Sequence, residues 1–450
     1  MKIKFCGADR EVTGSCHLLK TKDKNILVDC GMYQGSNFNE GKNHDNFLFE
    51  PSEIDVLLVT HAHLDHVGRI PKLVREGFQG KIYMTEATVE LAELIWEDAY
   101  GIMIENNKKY QTPILFDTVD IARSRALCQG VKYRERIEVL PNIFATWKDA
   151  GHVFGAAFIE VEAEGKRIGF SGDIGNENVP ILQDTERLGK LDVLLCESTY
   201  GDRIHEDLKM RQSLFLNLLK EGIERGGTVM IPAFSLERTQ EILYELNKLI
   251  EYKKSLPKIP IFLDSPLAID MIAVYKKYPE YYDEEAMRLH LLGDDFLDFP
   301  GLEVTYTKEQ SKKINSIPGA KIVIAGAGMM NGGRIVHHAF RHLSDPASTL
   351  LIVGYQAEGT LGRRLYEGVE SVKIFDQTVE VNCAIKAIGA LSAHGDQVKI
   401  IKWIGEAEKI PQKVFCVHGE PHAATELAHR LRDKYKIETF VPEEGEEVEI

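Results

Sequence analysis

An α/β protein with a second α/β domain inserted into the first is the architecture the sequence predicts, and three observations predict it. Short apolar runs recur along the chain, each ending in a polar residue with glycine close by. Those polar residues are metal-ligand types; they occur from residue 29 to 197 and again at 394 and 418, and the stretch between carries none of that pattern. The length of 450 residues also exceeds one ordinary hydrophobic core, so two domains are expected.

Taken in order, residues 25–28 read as a strand ending at Asp29, and residues 56–59 as a strand leading into Thr60-His61-Ala62-His63-Leu64-Asp65-His66. Three imidazoles and a carboxylate in so short a run have no ready use in an apolar core, whereas nitrogen and oxygen donors suit a zinc-class cation. A polar exposed loop is the plainer alternative, and it leaves unexplained why the other candidate ligands also sit at strand ends. Residues 167–171 precede Asp173, residues 193–196 precede Glu197, residues 387–393 precede His394, and residues 414–417 precede His418. Glycines at 31, 68, 151, 172, 175, 201, 395 and 419 allow tight turns beside these positions. Loops at one edge of an α/β sheet are where such proteins usually place their chemistry.

The middle stretch alternates helix and strand patterns. Residues 208–225 read as an amphipathic helix, 228–231 as a strand, a helix begins near Glu237, and strands follow at 259–263, 321–325 and 349–353. That alternation argues for a parallel open sheet covered on both faces. Gly326-Ala327-Gly328-Met329-Met330-Asn331-Gly332-Gly333 lies between a strand and a helical pattern at 334–341, so its amides can cradle a phosphate at a helix N-terminus. The spacing is not Gly-x-Gly-x-x-Gly, and a tight strand-to-helix turn accounts for it equally well. Ser235 offers an N-cap ahead of its helix, and Arg334, Arg363 and Arg364 offer positive charge to a backbone. Arg363 and Arg364 read equally as a solvated surface pair. The phosphate-binding candidates are therefore Ser235, Gly328, Met329, Gly332, Gly333, Arg334 and Arg364.

Composition excludes several classes. Hydrophobic content of 44% and charged content of 27% are those of a globular protein. No apolar stretch approaches the roughly 18 residues that cross a bilayer. The amino terminus turns charged before a signal peptide could form, and seven scattered cysteines with no Cys-x-x-Cys pair read as buried thiols, so a cytoplasmic location is expected. The net charge of −15 runs against non-specific attraction to nucleic acid. Its excess lies mostly outside residues 205–370, partly in the acidic tail at 443–449, and it does not exclude a local groove for an anionic substrate.

With these motifs quoted, the chain resembles the metallo-β-lactamase-fold nucleases of the β-CASP group, which includes RNase J and the endonuclease subunit of the eukaryotic cleavage-and-polyadenylation machinery. The resemblance rests on Asp29, the His-x-His-x-Asp-His run, His152, Asp173, Glu197 in Glu-Ser-Thr-Tyr-Gly, His394 in Ser-Ala-His-Gly-Asp, and His418 in Val-His-Gly-Glu. It extends to residues 232–238 and 326–334 of the insert and so covers essentially the whole chain. It implies a metallo-β-lactamase αββα sandwich made of residues 1–204 and 371–450, with a parallel-sheet β-CASP domain inserted at 205–370.

The resemblance also implies a site. Two zinc ions per chain, with manganese also suited to carboxylate-rich ligands, would be held by His61, His63 and His152 on one side and by Asp65, His66 and His418 on the other, Asp173 bridging. Taken singly, His152 or His418 is also readable as a hydrogen-bonded core histidine; beside the histidine run the ligand reading is preferred. The catalytic set is His394, Glu197, Asp65 and Asp29. His394 is the implied general acid toward the leaving 3′ oxygen, with Glu197 holding its ring, and Asp29 orients a ligand imidazole or is a simple turn carboxylate. A histidine at position 418 goes with RNA-processing members, so the expected partner is single-stranded RNA, which can thread a cleft that a duplex cannot. No membrane partner is expected, and a homodimer is the assembly to test for. The expected activity is hydrolytic and endonucleolytic, with 5′-3′ exonuclease action left open. A small-molecule thioester or lactam hydrolase is the alternative, which leaves the insert and the Glu197–His394 pair without a task. A non-catalytic scaffold would lack ligands, and none is missing.

Overall fold

The computed structural model describes every residue except 36, 206–210, 355, 357–358 and 389–391. The beginning of the helix read at 208–225 and the residues 389–391 that precede His394 therefore lie outside the described residues. The chain divides into two compact units, one of Met1–Glu177, Gln183–Ile204 and His394–Ile450, the other of Asn178–Leu182 and His205–Ala393.

The first unit is built on two seven-stranded sheets. One runs, in spatial order, Glu447–Glu449, Lys2–Phe5, His17–Lys20, Asn25–Val28, Val56–Leu58, Lys81–Thr85 and Cys128–Val131. The other runs Glu438–Phe440, Lys413–Val417, Val193–Glu197, Lys166–Phe170, Ala157–Ala163, Ile143–Asp149 and Arg136–Leu140. Alternate residues of both sheets meet in one buried cluster that includes Phe5, Ile26, Val28 and Val56 from the first and Trp147, Ile159, Phe170, Leu195 and Phe415 from the second. The two sheets thus share a core face to face, as period-two alternation demands. Strands such as Val193–Glu197 are buried on both faces, so they read as continuous apolar runs. Helices cover the outer faces: Glu86–Tyr110 packs on the first sheet and Pro421–Tyr435 on the second. The result is an αββα sandwich. Trp147, fully buried, donates its indole N–H to Val59 O at 3.0 Å, tying the second sheet to the segment that enters the histidine run.

The second unit carries a six-stranded sheet in the order Leu302–Val304, Ile261–Leu263, Lys321–Ala325, Thr228–Pro232, Thr349–Ile352 and Ala384–Ala387, with every neighbouring pair parallel. Its core includes Met230, Phe262, Val323, Ile335, Leu350 and Leu365. The return to the first domain expected at residue 371 and the boundary of the compact unit differ by a short segment. Residues 371–393 stay with the second unit, because Ala384–Ala387 adds a parallel edge strand to Thr349–Ile352 and the hairpin Ser371–Ile374/Gln377–Glu380 precedes it. The chain re-enters the first unit at His394.

Candidate metal centre

Five of the sequence-predicted positions lie just past the carboxyl ends of parallel strands of the first unit. Asp29 follows Asn25–Val28, the histidine run follows Val56–Leu58, Asp173 follows Lys166–Phe170, Glu197 closes Val193–Glu197, and His418 follows Lys413–Val417. His63 caps the short helix Leu64–Val67, whose first turn carries Asp65 and His66. His152 comes from the turn after Ile143–Asp149. His394 does not close a strand as the sequence suggests: the strand ends at Ala387, and His394 is placed instead by an antiparallel bridge to Gly175 and a Gly395 N–H bond to Ile174 O of 2.7 Å. Close backbone approaches need two of the glycines. A Cβ on Gly31 would lie 1.5 Å from Asp65 O, and one on Gly175 would lie 1.7 Å from Gly151 O.

The donors converge in two sets. Nδ1 of His63 lies 3.1 Å from His61 Nε2 and 3.3 Å from His152 Nε2, and Asp173 Oδ2 lies 3.4 Å from each of those two Nε2 atoms. In the second set Asp173 Oδ1 is 3.3 Å from His66 Nε2 and 3.5 Å from His418 Nε2, and Asp65 Oδ2 is 3.8 Å from His418 Nε2. A cation held tetrahedrally by nitrogens at about 2.0–2.1 Å spaces its ligands about 3.3 Å apart. The first set matches that spacing along four edges. His66 Nε2 and Asp173 Oδ1 are buried with no hydrogen-bond partner, which a shared cation would satisfy. The residues present therefore fit divalent metal.

Electrostatics support the same use. Burial holds the pKa values of His61, His63 and His152 down, and takes that of His418 to about 3, keeping these rings neutral with a lone pair to offer. Burial acts on His66 too, but Asp173 and Asp29 outweigh it and raise its pKa well above the usual value. Burial would raise the Asp173 pKa, yet the surrounding histidines, His418 and His66 first, hold it well below the carboxylate range.

Asp29 reaches no donor set directly. Its Oδ2 accepts from His66 Nδ1 at 2.8 Å and from the Thr60 hydroxyl at 2.8 Å, and its Oδ1 accepts from Thr60 N at 2.8 Å. Thr60 Oγ1 lies 3.0 Å from His61 Nδ1, so one threonine steadies an imidazole of the first set while bonded to the carboxylate that steadies the second. Sequence reading passed over Thr60; its signal was its place immediately before His61, at the end of a strand.

His394 stands beside both sets. Its Nδ1 is 3.3 Å from Glu197 Oε1 and 4.0 Å from Asp173 Oδ2. Glu197 is fully buried and accepts from Ile174 N at 2.6 Å and Thr199 N at 3.3 Å. Burial works against the charged ring of His394, but Glu197 and then Asp173 prevail and raise its pKa to about 9. Among the described residues, three groups of donors have atoms within 4.8 Å of one another: the two sets above, and Asp173 with Glu197 and His394.

The phosphate-binding candidates lie in the second unit, at the carboxyl ends of neighbouring parallel strands. Ser235 follows Thr228–Pro232, and the 326–333 loop follows Lys321–Ala325. Ser235 Oγ is 3.3 Å from Ser265 Oγ. Gly328 O accepts from Gln356 Nε2 at 3.0 Å, Met329 O accepts from Gly362 N at 3.2 Å, and Gly332 caps the helix Gly333–His342. Gly333 has φ +72°, and a Cβ there would lie 2.3 Å from Gly326 O. Arg364 is exposed on the helix Leu361–Tyr366. Arg334 departs from its expected role: its guanidinium bonds Asp264 Oδ1 at 2.6 Å, Thr305 O at 2.8 Å and Tyr306 O, so its fork is turned inward on protein acceptors.

Residues 9–201 match the family model of the metallo-beta-lactamase superfamily, residues 239–365 that of the Beta-Casp domain, and residues 378–442 that of the Zn-dependent metallo-hydrolase RNA specificity domain. Ribonuclease TTHA0252 of Thermus thermophilus is 40% identical over 432 residues, 96% of each chain. An RNase J-like protein of Methanocaldococcus jannaschii is 32% identical over 449 residues, 98% of each chain. Cleavage and polyadenylation specificity factor 73 of Drosophila melanogaster is 31% identical over 441 residues, covering 97% of this chain and 62% of that one. A solved Enterococcus faecalis protein of unknown function shares the fold, with a TM-score of 0.57 at 14% identity over 99% of both chains.

Proposed function

Because the chain belongs to the β-CASP group of metallo-β-lactamase-fold ribonucleases and is a metal-dependent RNA nuclease, we propose that it hydrolyses single-stranded RNA with two zinc ions and with His394 as general acid. The observation that carries this reading is the pairing of two donor sets around one carboxylate, Asp173, with the Glu197–His394 pair next to them. A nitrogen-rich donor set favours zinc, and its carboxylates also accept manganese. The small-molecule hydrolase is not favoured, since relatives named as a ribonuclease and an RNase J-like protein match 96% and 98% of the chain.

When bound, the metals supply Lewis acidity toward a phosphate oxygen and lower the pKa of water toward neutrality. The chain's own groups do the rest. His61, His63 and His152 would hold one cation and Asp65, His66 and His418 the other, with Asp173 placed to offer an oxygen to both sets. Thr60 and Asp29 fix the tautomers of His61 and His66, leaving the opposite ring nitrogen free to bind. His394 turns Nδ1 to Glu197 and gives the Nε2 proton to the leaving 3′ oxygen as a water oxygen bonds to phosphorus and the P–O3′ bond breaks, so the upstream fragment ends in a 3′ hydroxyl and the downstream one in a 5′ phosphate. Glu197 keeps that ring protonated and aimed. A cytoplasmic place of action agrees with seven free cysteines.

Circular and linear single-stranded RNA of one sequence, each offered to the zinc-loaded protein, test the cleavage mode. Opening of the circle supports an endonuclease. A circle left intact while the linear strand is degraded from its 5′ end would replace that mode with an exonuclease.

A further inference from the structure

Of the three site histidines that lie far in sequence from the 61–66 run, a single segment serves two, His394 and His418. Glu197 faces His394, as described above. Its neighbours face His418: the Ser198 N–H donates to His418 O at 3.2 Å, the Thr199 hydroxyl donates to the same oxygen at 3.1 Å, and the Ser198 hydroxyl donates to Val417 O at 2.7 Å. On the other side the His418 N–H donates to Ala8 O at 2.7 Å. These bonds clamp a backbone that needs clamping. His418 has φ +48°, in the left-handed region that a side chain with a Cβ avoids. The next residue, Gly419, allows the clamp to close, because a Cβ there would lie 2.3 Å from Ser198 Oγ. Released from this conformation, the imidazole would leave Asp65 and Asp173.

We propose that Ser198 and Thr199 are positioning residues for His418, and that through it they set the affinity of the Asp65–His66–His418 set for its cation without setting that of His61, His63 and His152. The proposal rests on His418 being a ligand. The second set can thereby be weakened while His61, His63 and His152 keep their cation, and the segment that aims the general acid also sets the affinity for the second cation.

Zinc titration of the metal-free full chain against a chromophoric chelator tests this, with Thr199→Val, Thr199→Ser, Ser198→Ala and His418→Ala beside the wild type and circular dichroism to check folding. Removing the hydroxyl in Thr199→Val is expected to leave one equivalent at wild-type affinity and to weaken the other by about 10- to 100-fold, the usual range for an outer partner of a ligand. Thr199→Ser is expected to restore both equivalents, and Ser198→Ala to repeat the loss more mildly; it decides the question if Thr199→Val does not fold. Two wild-type equivalents in both hydroxyl-deleted variants, or parallel weakening of both equivalents, would overturn the positioning role. Two wild-type equivalents in His418→Ala would instead overturn the ligand assignment beneath it.

Discussion

Oδ1 of Asp173 lies 3.3 Å from Nε2 of His66, while the other oxygen of the same carboxylate faces His61 and His152. One side chain therefore belongs to both donor sets. Asp173→Ala is expected to weaken both equivalents of bound zinc together, which metal analysis after dialysis would register. Retention of two tight equivalents would remove the bridging role.

Removal of metal is expected to abolish RNA cleavage, and zinc or manganese to restore it. It should also lower the melting temperature of the first unit. Ligand at about 100 times its dissociation constant adds about 2.7 kcal/mol, and buried carboxylate and imidazole atoms would lose their common partner. Calorimetry of the chelator-treated and reloaded protein measures this directly. An unchanged transition would show that the site is not loaded in the wild type.

Gly31→Ala probes packing beneath the ligands. The added Cβ would sit 1.5 Å from Asp65 O, so the Leu64–Val67 turn must move. The second donor set contains Asp65 and His66, and its zinc affinity is expected to fall by at least an order of magnitude. The His61–His63–His152 set should be less affected. Titration resolves the two.

Asp264 gives a prediction for the second unit. It accepts from Thr305 and Ser311 hydroxyls, from Arg334 and from His338 Nε2, the last at 2.7 Å. Burial alone would raise its pKa, but the bonds from His338, Ser311, Thr305 and Arg334 hold it below the ordinary carboxylate value. With the folded pKa below the unfolded one, this stabilisation is present above about pH 4 and is lost as pH falls further. Asp264→Asn is expected to cost roughly 3 kcal/mol at neutral pH, because Arg334 loses its counter-charge. The gap from wild type should shrink below about pH 4 in denaturant titrations. A pH-independent gap would deny the carboxylate's charge that role.

Much of this site is written locally in the sequence, and the limits of that legibility are physical. The 61–66 run, Asp173, Glu197 and His418 each sit where an apolar strand ends, so a short apolar run followed by a polar residue, with glycine close by, marks them. His394 was legible as a residue but not as a placement: it is held by a bridge to Gly175, a pairing between distant segments that no local pattern encodes. Thr60, Ser198 and Thr199 resemble ordinary strand-end residues, and their contacts to His61 and His418 show only once the sheets bring those residues beside them. Arg334 misled in the other direction. Beside a glycine-rich loop it looks like a phosphate ligand, yet Asp264, seventy positions away in sequence, takes its guanidinium. The insert boundary at 371 and the edge of the compact unit at 393 differ because Ala384–Ala387, which reads in sequence as the start of the next domain, pairs as an edge strand with Thr349–Ile352.

In the proposed mechanism His394 delivers a proton to RNA and holds no metal. Cleavage of a 5′-labelled single-stranded RNA, beside DNA of the same sequence, by zinc-loaded wild type and His394→Ala tests it when metal content is measured on the same samples. Two equivalents of zinc are expected in both proteins, with fragments from RNA in the wild type and cleavage slowed by about 10²- to 10⁴-fold in the variant. Loss of zinc from His394→Ala, or cleavage by it at the wild-type rate, would contradict the claim.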